Sequence, residues 1–141
     1  MREAARERGE GSSGANGEGN GGWKKPRFVL VSSNLGSFGL MGGARGYGLY
    51  GASKALANFL VRWLALENGE EMVVCAVHPG PVKTDMGELA IEHLEQMGVD
   101  LKLEWLSVEE SVRGLLAVID DAERKNLNGR FIQHDGTELP W

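Results

Sequence analysis

The sequence has little cysteine, little proline and no long apolar run. Its 141 residues include one cysteine, Cys75, and four prolines. One thiol cannot form a disulfide within the chain, and its place in an apolar run predicts a buried small side chain. That run, residues 72–77, is far shorter than the roughly 20 residues that cross a bilayer. These absences fit a cytoplasmic protein with no membrane partner.

Positive charge is also scarce. Lysine and arginine number 15 against 20 aspartates and glutamates, which gives a net charge of −5. A nucleic-acid partner normally requires a concentrated basic patch, so we expect none. His93 and His134 have no metal-ligand spacing with cysteine or carboxylate clusters, so no metal site is predicted. The first residues have mixed charge and no apolar segment of the kind found in secretory signals.

Glycine, by contrast, is abundant, with 21 residues. Residues 1–8 have a helix-forming composition, and residues 9–22 (GEGSSGANGEGNGG) are typical of a flexible, disordered segment. A glycine-rich loop that cradles phosphate needs a preceding strand and a following helix, and the pattern shows neither. We expect residues 1–23 to form a helix remnant and a disordered loop, and residues 24–141 to form one folded domain.

Short apolar runs predict three β-strands, with helices between them. Residues 28–31 and 72–77 are continuous apolar runs, which suit strands covered on both faces, and residues 130–133 form a third candidate. Helical patterns are found at residues 49–67, through most of 85–106, and after Ser107. Ser107 begins the Ser-x-x-Glu spacing of a capping box. This alternation predicts an α/β fold, with about three parallel strands and flanking helices.

The helix predicted at residues 49–67 has two apolar rows. One face carries Ala52, Leu56, Phe59, Leu60 and Trp63. A second row, off that face, contains Ala57, Val61 and Leu64. Because both rows recur at helical spacing, we expect the helix to bury two sides, one on the sheet and one on another element.

The same helix carries an acid–base pair. Tyr50 and Lys54 are four residues apart, so their side chains share a face. A free phenol titrates at about 10, too high for efficient proton donation at neutral pH, and a nearby ammonium favours the phenolate. Ligands of open α/β sheets bind beyond the carboxyl ends of the strands, where Ser32, Ser33 and residues 79–84 are expected. Taken singly, Ser32 and Ser33 are more often a simple strand end, and Tyr50 and Lys54 are more often an ordinary helix surface.

Several motifs occur together and in order. VSSNLG (residues 31–36) is followed by YGASK (50–54), HPGPVKTDMG (78–87) and DGTELPW (135–141). This set resembles the short-chain dehydrogenase/reductase family, and in its details the sniffer-like and norsolorinic-acid-ketoreductase-like carbonyl reductases. The resemblance covers residues 24–141. It implies the carboxyl-terminal half of a Rossmann-type, doubly wound parallel sheet.

The resemblance also implies a role for each matching residue. Ser33, rather than Ser32, matches the catalytic serine, and Tyr50 matches the proton donor. Lys54 matches the residue that tunes the tyrosine and binds the nicotinamide ribose, so Tyr50 and Lys54 both border the cofactor. The family's Pro-Gly-x-Val-x-Thr turn is matched by Pro79, Gly80, Val82 and Thr84. The resemblance implies that the Val82 amide and Thr84 contact the carboxamide and pyrophosphate side of the cofactor. Tyr47 does not match, because a glycine lies four positions beyond it.

The implied function is reduction of a ketone or aldehyde to an alcohol. The cofactor is NADP or NAD, with NADP favoured by the resemblance alone, and the substrate is a small carbonyl compound. The resemblance further implies a homo-oligomer for the full-length protein. In relatives the matching helix packs across a dimer interface, which assigns the row of Ala57, Val61 and Leu64 to that contact.

Other motifs of the family are missing from the sequence. These are the Thr-Gly-x-x-x-Gly-x-Gly loop that places a pyrophosphate at a helix amino terminus, the Asn-Ala-Gly motif and a catalytic asparagine. We therefore expect a truncated chain, whose first residue lies inside a domain. Two hypotheses stay open: a part of an NAD(P)-dependent oxidoreductase, or a non-catalytic fragment or protein-interaction module derived from one.

Overall fold

The computed structural model describes residues 25–41, 46–98, 103–122 and 125–141. The helix remnant and disordered loop predicted for residues 1–23 lie outside the described residues. The elements in chain order are β1 (Arg27–Val31), a 3₁₀ turn (Asn34–Gly36), α1 (Gly48–Asn68), β2 (Val73–His78), α2 (Asp85–Gln96), α3 (Val108–Asp120) and β3 (Phe131–Gln133).

The three strands form one parallel sheet in the order β1-β2-β3. Val31 pairs with Val77, and Val77 pairs with Ile132. β2 is central and buried along its whole length, as its continuous apolar run predicted. β1 is an edge strand of the described sheet, and Phe28 and Val31 are exposed there. Its two faces are still covered in part, because Val29 packs against the cluster that contains Val118 and Leu30 against the cluster that contains Val61. The predicted partial α/β fold is confirmed.

The helices cover both faces of the sheet because neighbouring residues of a strand point to opposite sides. Cys75 belongs to a core cluster with Val118 of α3, and burial raises the pKa of its thiol to about 11. Val74 belongs to a second cluster with Val61 of α1. α1 and α3 therefore lie on opposite faces of β2.

α3 begins at the capping box that the sequence predicted. The Ser107 hydroxyl accepts a hydrogen bond from Glu110 N, and the Glu110 carboxylate accepts one from Ser107 N at 2.8 Å. These bonds satisfy two amide groups that a helix start otherwise leaves unpaired. They also lower the pKa of the Glu110 carboxyl.

The structure corrects the expected orientation of α1. The row assigned to a dimer contact faces the sheet instead: Val61 is 1% exposed, and Leu64 packs against the same cluster. The row of large residues lies on the surface, with Phe59 67% and Trp63 50% exposed. Among the described residues, α1 therefore buries one side rather than two. Small side chains such as Ala65 let this side approach the strands closely.

The segment at residues 85–106 is less helical than expected. α2 ends at Gln96, and residues 99–102 lie outside the described part of the chain. Leu106 then forms a parallel bridge with Val82. This short pairing ties the end of the segment back to the residues that follow β2.

The residues that follow β3 turn back and pair with it in the antiparallel direction. Ile132 and Glu138 form an antiparallel bridge, and Leu139 N donates to Phe131 O at 2.8 Å. Among the described helices, none is long and apolar enough to cross a membrane.

Candidate active site

The carboxyl ends of β1 and β2 lie side by side. Ser32 N, just beyond β1, donates a 2.7 Å hydrogen bond to Val77 O in β2. Parallel pairing thus brings the serine pair next to the turn at residues 79–84. The sequence predicted this juxtaposition from the ends of two apolar runs.

Ser33 caps the 3₁₀ turn, and the turn packs on α1. The buried Ser33 hydroxyl accepts a hydrogen bond from Leu35 N at 3.2 Å. A Cβ on Gly36 would lie 2.6 Å from Lys54 Cβ, and a Cβ on Gly51 would lie 2.7 Å from Leu35 O. Glycine at these two positions lets the turn touch α1 at the level of Tyr50 and Lys54. The predicted Ser33, Tyr50 and Lys54 therefore share one region of the structure.

Tyr50 and Lys54 lie in the first two turns of α1, and Tyr50 is 40% exposed. The Lys54 ammonium lies 5.7 Å from the centroid of the Tyr50 ring and donates to Val31 O at 3.2 Å. Tyr50 and Lys54 therefore lie together at the start of α1, beside the end of β1.

Tyr47 has a different role. Its hydroxyl donates to Ala90 O at 2.8 Å, and its ring meets the edge of His93. Burial raises the pKa of the Tyr47 phenol. Tyr47 therefore links the start of α1 to α2, in keeping with its exclusion as a proton donor on sequence grounds.

The turn after β2 is held from the side of α3 and β3. Ser111 Oγ, buried in α3, donates to Pro79 O at 2.7 Å, and His134 N donates to His78 O at 2.9 Å. Gly80 has φ +80°, and a Cβ there would lie 2.7 Å from a methyl carbon of Leu106. Only glycine suits this position, because the backbone is left-handed and the space is filled.

Val82 and Thr84 keep hydrogen-bond donors available. Lys83 N donates to Leu106 O, and Leu106 N donates to Pro81 O. In a parallel bridge this pattern directs the Val82 N–H away from Leu106. Thr84 Oγ1 accepts from Gly87 N to cap α2, which leaves its hydroxyl hydrogen free to donate.

These donors suit the nicotinamide end of a dinucleotide. The Val82 amide, the Thr84 hydroxyl and the Lys54 ammonium can donate to carboxamide and ribose oxygens. The first turn of α2 carries Asp85 and Glu88, whose negative charges disfavour a phosphate at that helix end. The residues therefore fit nicotinamide and ribose better than pyrophosphate.

His78 ends β2 and is 7% exposed. Burial, with the nearby His134 as a second cause, lowers the pKa of His78 to about 4. The Nδ1 atoms of both histidines are buried without a hydrogen-bond partner. His78 is therefore a neutral, buried side chain at neutral pH, at the end of β2.

Sequence reasoning gave no role to Asn58, which is buried on α1. Its Oδ1 accepts from Ser32 Oγ at 2.6 Å, and its Nδ2 donates to Gly36 O at 3.3 Å. Asn58 thus holds both ends of the segment that carries Ser33. The signal was present in the sequence, because Asn58 lies four residues beyond Lys54 on the same helix face.

Comparisons with known proteins agree with this geometry. A family model described as Enoyl-(Acyl carrier protein) reductase matches residues 31–136, more than half of the chain. The chain belongs to the short-chain dehydrogenase/reductase family. The family resemblance drawn from the motifs is thereby confirmed.

Two similar curated relatives come from fungi. The short chain dehydrogenase gsfK of Penicillium aethiopicum is 43% identical over 118 residues, which are 83% of this chain and 46% of the relative. The norsolorinic acid ketoreductase nor1 of Dothistroma septosporum is 33% identical over 120 residues, 83% of this chain and 42% of the relative. The chain spans about half the length of the curated relatives it matches.

Solved structures show the same partial match. The NADPH-bound carbonyl reductase from chicken fatty liver has a TM-score of 0.64 and 31% identity, covering 82% of this chain and 42% of that one. The carbonyl reductase Sniffer of D. melanogaster has a TM-score of 0.61 and 30% identity, covering 82% and 41%. Both subgroups named by the motifs, sniffer-like and norsolorinic-acid-ketoreductase-like proteins, are therefore represented among the relatives.

Proposed function

We propose that this chain carries the catalytic segment of an NAD(P)H-dependent carbonyl reductase, which converts a ketone or aldehyde to an alcohol. The supporting observation is the meeting of three elements at the joined ends of β1 and β2. These are the Ser33 turn, the Tyr50–Lys54 face of α1 and the turn at residues 79–84. Family membership and the carbonyl reductase relatives point to the same reaction.

Three side chains would act on the carbonyl oxygen. Ser33 Oγ–H donates a hydrogen bond to it and holds the substrate. Tyr50 transfers its hydroxyl proton to the oxygen as negative charge develops there. Lys54 stabilises the phenolate that remains on Tyr50.

The cofactor that we propose is NADP, with NAD as the alternative, because the chicken relative was solved with NADPH. Its reduced form, NADPH or NADH, would supply the hydride for the carbonyl carbon and leave as the oxidised cofactor. Lys54 would hold the ribose hydroxyls, and Val82 and Thr84 would hold the carboxamide. Gly80 shapes the turn beside them. We place the protein in the cytoplasm on the basis of its composition.

We also propose that the full-length protein is a homo-oligomer that uses α1. The exposed row of α1 contains Leu56, Phe59, Leu60 and Trp63. A two-fold axis brings the same patch of both copies together, so one apolar row can cover its own counterpart. This proposal replaces the dimer contact expected from Ala57, Val61 and Leu64, because that row packs against the sheet.

The reaction can be tested in a chimera, with the amino-terminal half of gsfK placed before residues 24–141. We expect NADPH-dependent reduction of a ketone or an aldehyde, which is measured as the loss of NADPH absorbance and confirmed by identification of the alcohol. A folded chimera that binds NADPH and yet forms no alcohol from a panel of ketones and aldehydes would contradict the proposal.

A further inference from the structure

Residues 139–141, called the tail below, contact the segment that follows the 3₁₀ turn. Ser37 Oγ donates to Pro140 O at 2.7 Å, and Gly39 N donates to Trp141 O at 3.0 Å. A Cβ on Gly39 would lie 2.8 Å from Pro140 Cβ. The two segments are about a hundred residues apart in sequence and in direct contact in the fold.

The tail is itself anchored in the core cluster on the α1 side. The Trp141 ring stacks on Phe131 of β3, with centroids 5.6 Å apart and planes at 25°. The Arg62 guanidinium of α1 lies 6.0 Å from the Trp141 ring centroid. Phe131 is fully buried, and Leu139 and Trp141 both pack against its cluster, so the tail is attached to the core.

A short chain of hydrogen bonds continues from the tail to Ser33. Ser37 is 1% exposed, and its hydroxyl also accepts from Leu40 N at 3.1 Å. Its backbone N–H donates to Asn34 O at 3.0 Å, and Gly36 N donates to Ser33 O at 2.9 Å. Asn58 holds one side of this turn, and Ser37 holds the other through the tail.

We infer that Ser37 and Trp141 are positioning residues, which act through the tail to fix the turn that carries Ser33. Ser37 links the turn to Pro140, and Trp141 anchors the tail to β3. Neither residue would contact the substrate. The effect on catalysis rests on the proposed function. The restraint on the turn does not depend on it.

The restraint can be measured by hydrogen exchange of residues 34–41 in the full chain, using mass spectrometry. We expect Ser37→Ala and Trp141→Ala to accelerate exchange in this segment by about fivefold or more, because each removes a contact that opposes local opening. Trp141→Phe keeps a stacked ring and should restore protection. Ser107→Ala is the matched control, since it removes a serine cap of α3 and loosens that helix alone.

The same variants in the active chimera test the consequence for Ser33. We expect Ser37→Ala to lower kcat by about tenfold with the KM for NADPH unchanged, because the hydroxyl that meets the carbonyl oxygen is displaced while the cofactor turn is not. Trp141→Phe should retain wild-type kcat.

Either of two exchange results would overturn the inference. One is exchange within twofold of wild type in both alanine variants, and the other is equal acceleration in Ser107→Ala. A chimera that reduces no carbonyl compound would contradict the proposed function. The restraint on the turn would then be tested by hydrogen exchange alone.

Discussion

Ser32 Oγ and Asn58 Oδ1 are joined by a buried hydrogen bond of 2.6 Å. Asn58 also reaches Gly36 O, so one amide on α1 fixes the end of β1 and the end of the 3₁₀ turn together. Water cannot replace either bond at this depth. The stability of the protein and the position of Ser33 are therefore coupled at a residue that would not touch the substrate.

Asn58→Ala should lower the free energy of unfolding by about 2–3 kcal/mol, since two buried hydrogen bonds are lost and their partners stay unpaired. Asn68→Ala is the control. Asn68 lies on the same helix and donates one bond to Leu64 O, so we expect a loss below about 1 kcal/mol. Urea denaturation at one protein concentration measures both variants. Equal losses would show that Asn58 has no special role.

Tyr50→Phe in the active chimera should lower kcat by about a hundredfold or more, because it removes the transferable proton and leaves the ring in place. NADPH affinity should change little. The control is Tyr47→Phe, which loses the bond to Ala90 O and should keep kcat within about threefold of wild type. Near-normal turnover of Tyr50→Phe would show that another group supplies the proton.

Local patterns predicted most of the elements, and the reason is visible in β2 and α3. A run such as residues 72–77 is apolar at every position because both faces of β2 are covered, and the Ser107–Glu110 spacing is itself the capping contact. The proximity of Tyr50 and Lys54 could be predicted because residues four positions apart lie on the same face of a helix.

Contacts between distant segments could not be predicted in this way. Periodicity shows that α1 has two apolar rows, but it does not say which row meets the sheet. The choice depends on side-chain size: Val61 and Ala65 allow close packing, whereas Phe59 and Trp63 do not. The contact between Ser37 and Pro140 likewise exists only once β3 has placed the tail beside the turn.

The stability of the protein should fall between pH 7 and pH 5 because of His78. Its pKa is about 4 in the folded chain and about 6.5 when unfolded, so the unfolded state binds the proton more readily in this range. Stability that is present above the unfolded pKa is lost as the pH falls towards the folded pKa, by about 2 kcal/mol from pH 7 to pH 5.

Urea denaturation at pH 7, 6 and 5 measures this loss. His78→Gln should flatten the pH dependence, whereas the control His93→Gln should keep it. The Glu110 and Asp135 carboxyls have lowered pKa values and titrate below this range, so they do not obscure the result. An unchanged slope in His78→Gln would assign the pH dependence to another group.

Residues 1–141 alone should bind NADPH with a dissociation constant weaker than about 100 μM. The sequence contains no Thr-Gly-x-x-x-Gly-x-Gly loop to place phosphates at a helix amino terminus. The first turn of α2 cannot substitute for it, because Asp85 and Glu88 repel phosphate. Isothermal calorimetry is the measurement, with the gsfK chimera as the positive control. Low-micromolar binding by the chain alone would show that its own residues hold the phosphates.

The exposed row of α1 should make the isolated chain self-associate. Burying each large apolar side chain contributes about 1.5–3 kcal/mol, and Phe59 and Trp63 lie close together on this row. Phe59→Glu should weaken association by about tenfold or more, because pairing across a two-fold axis brings two carboxylates into an apolar contact. The control is Leu116→Glu, since Leu116 is an exposed leucine of α3, at the opposite face of the sheet. Light scattering and sedimentation over a concentration series measure the effect. A wild-type chain that stays a monodisperse monomer, or equal effects of the two glutamates, would show that α1 is not the interface.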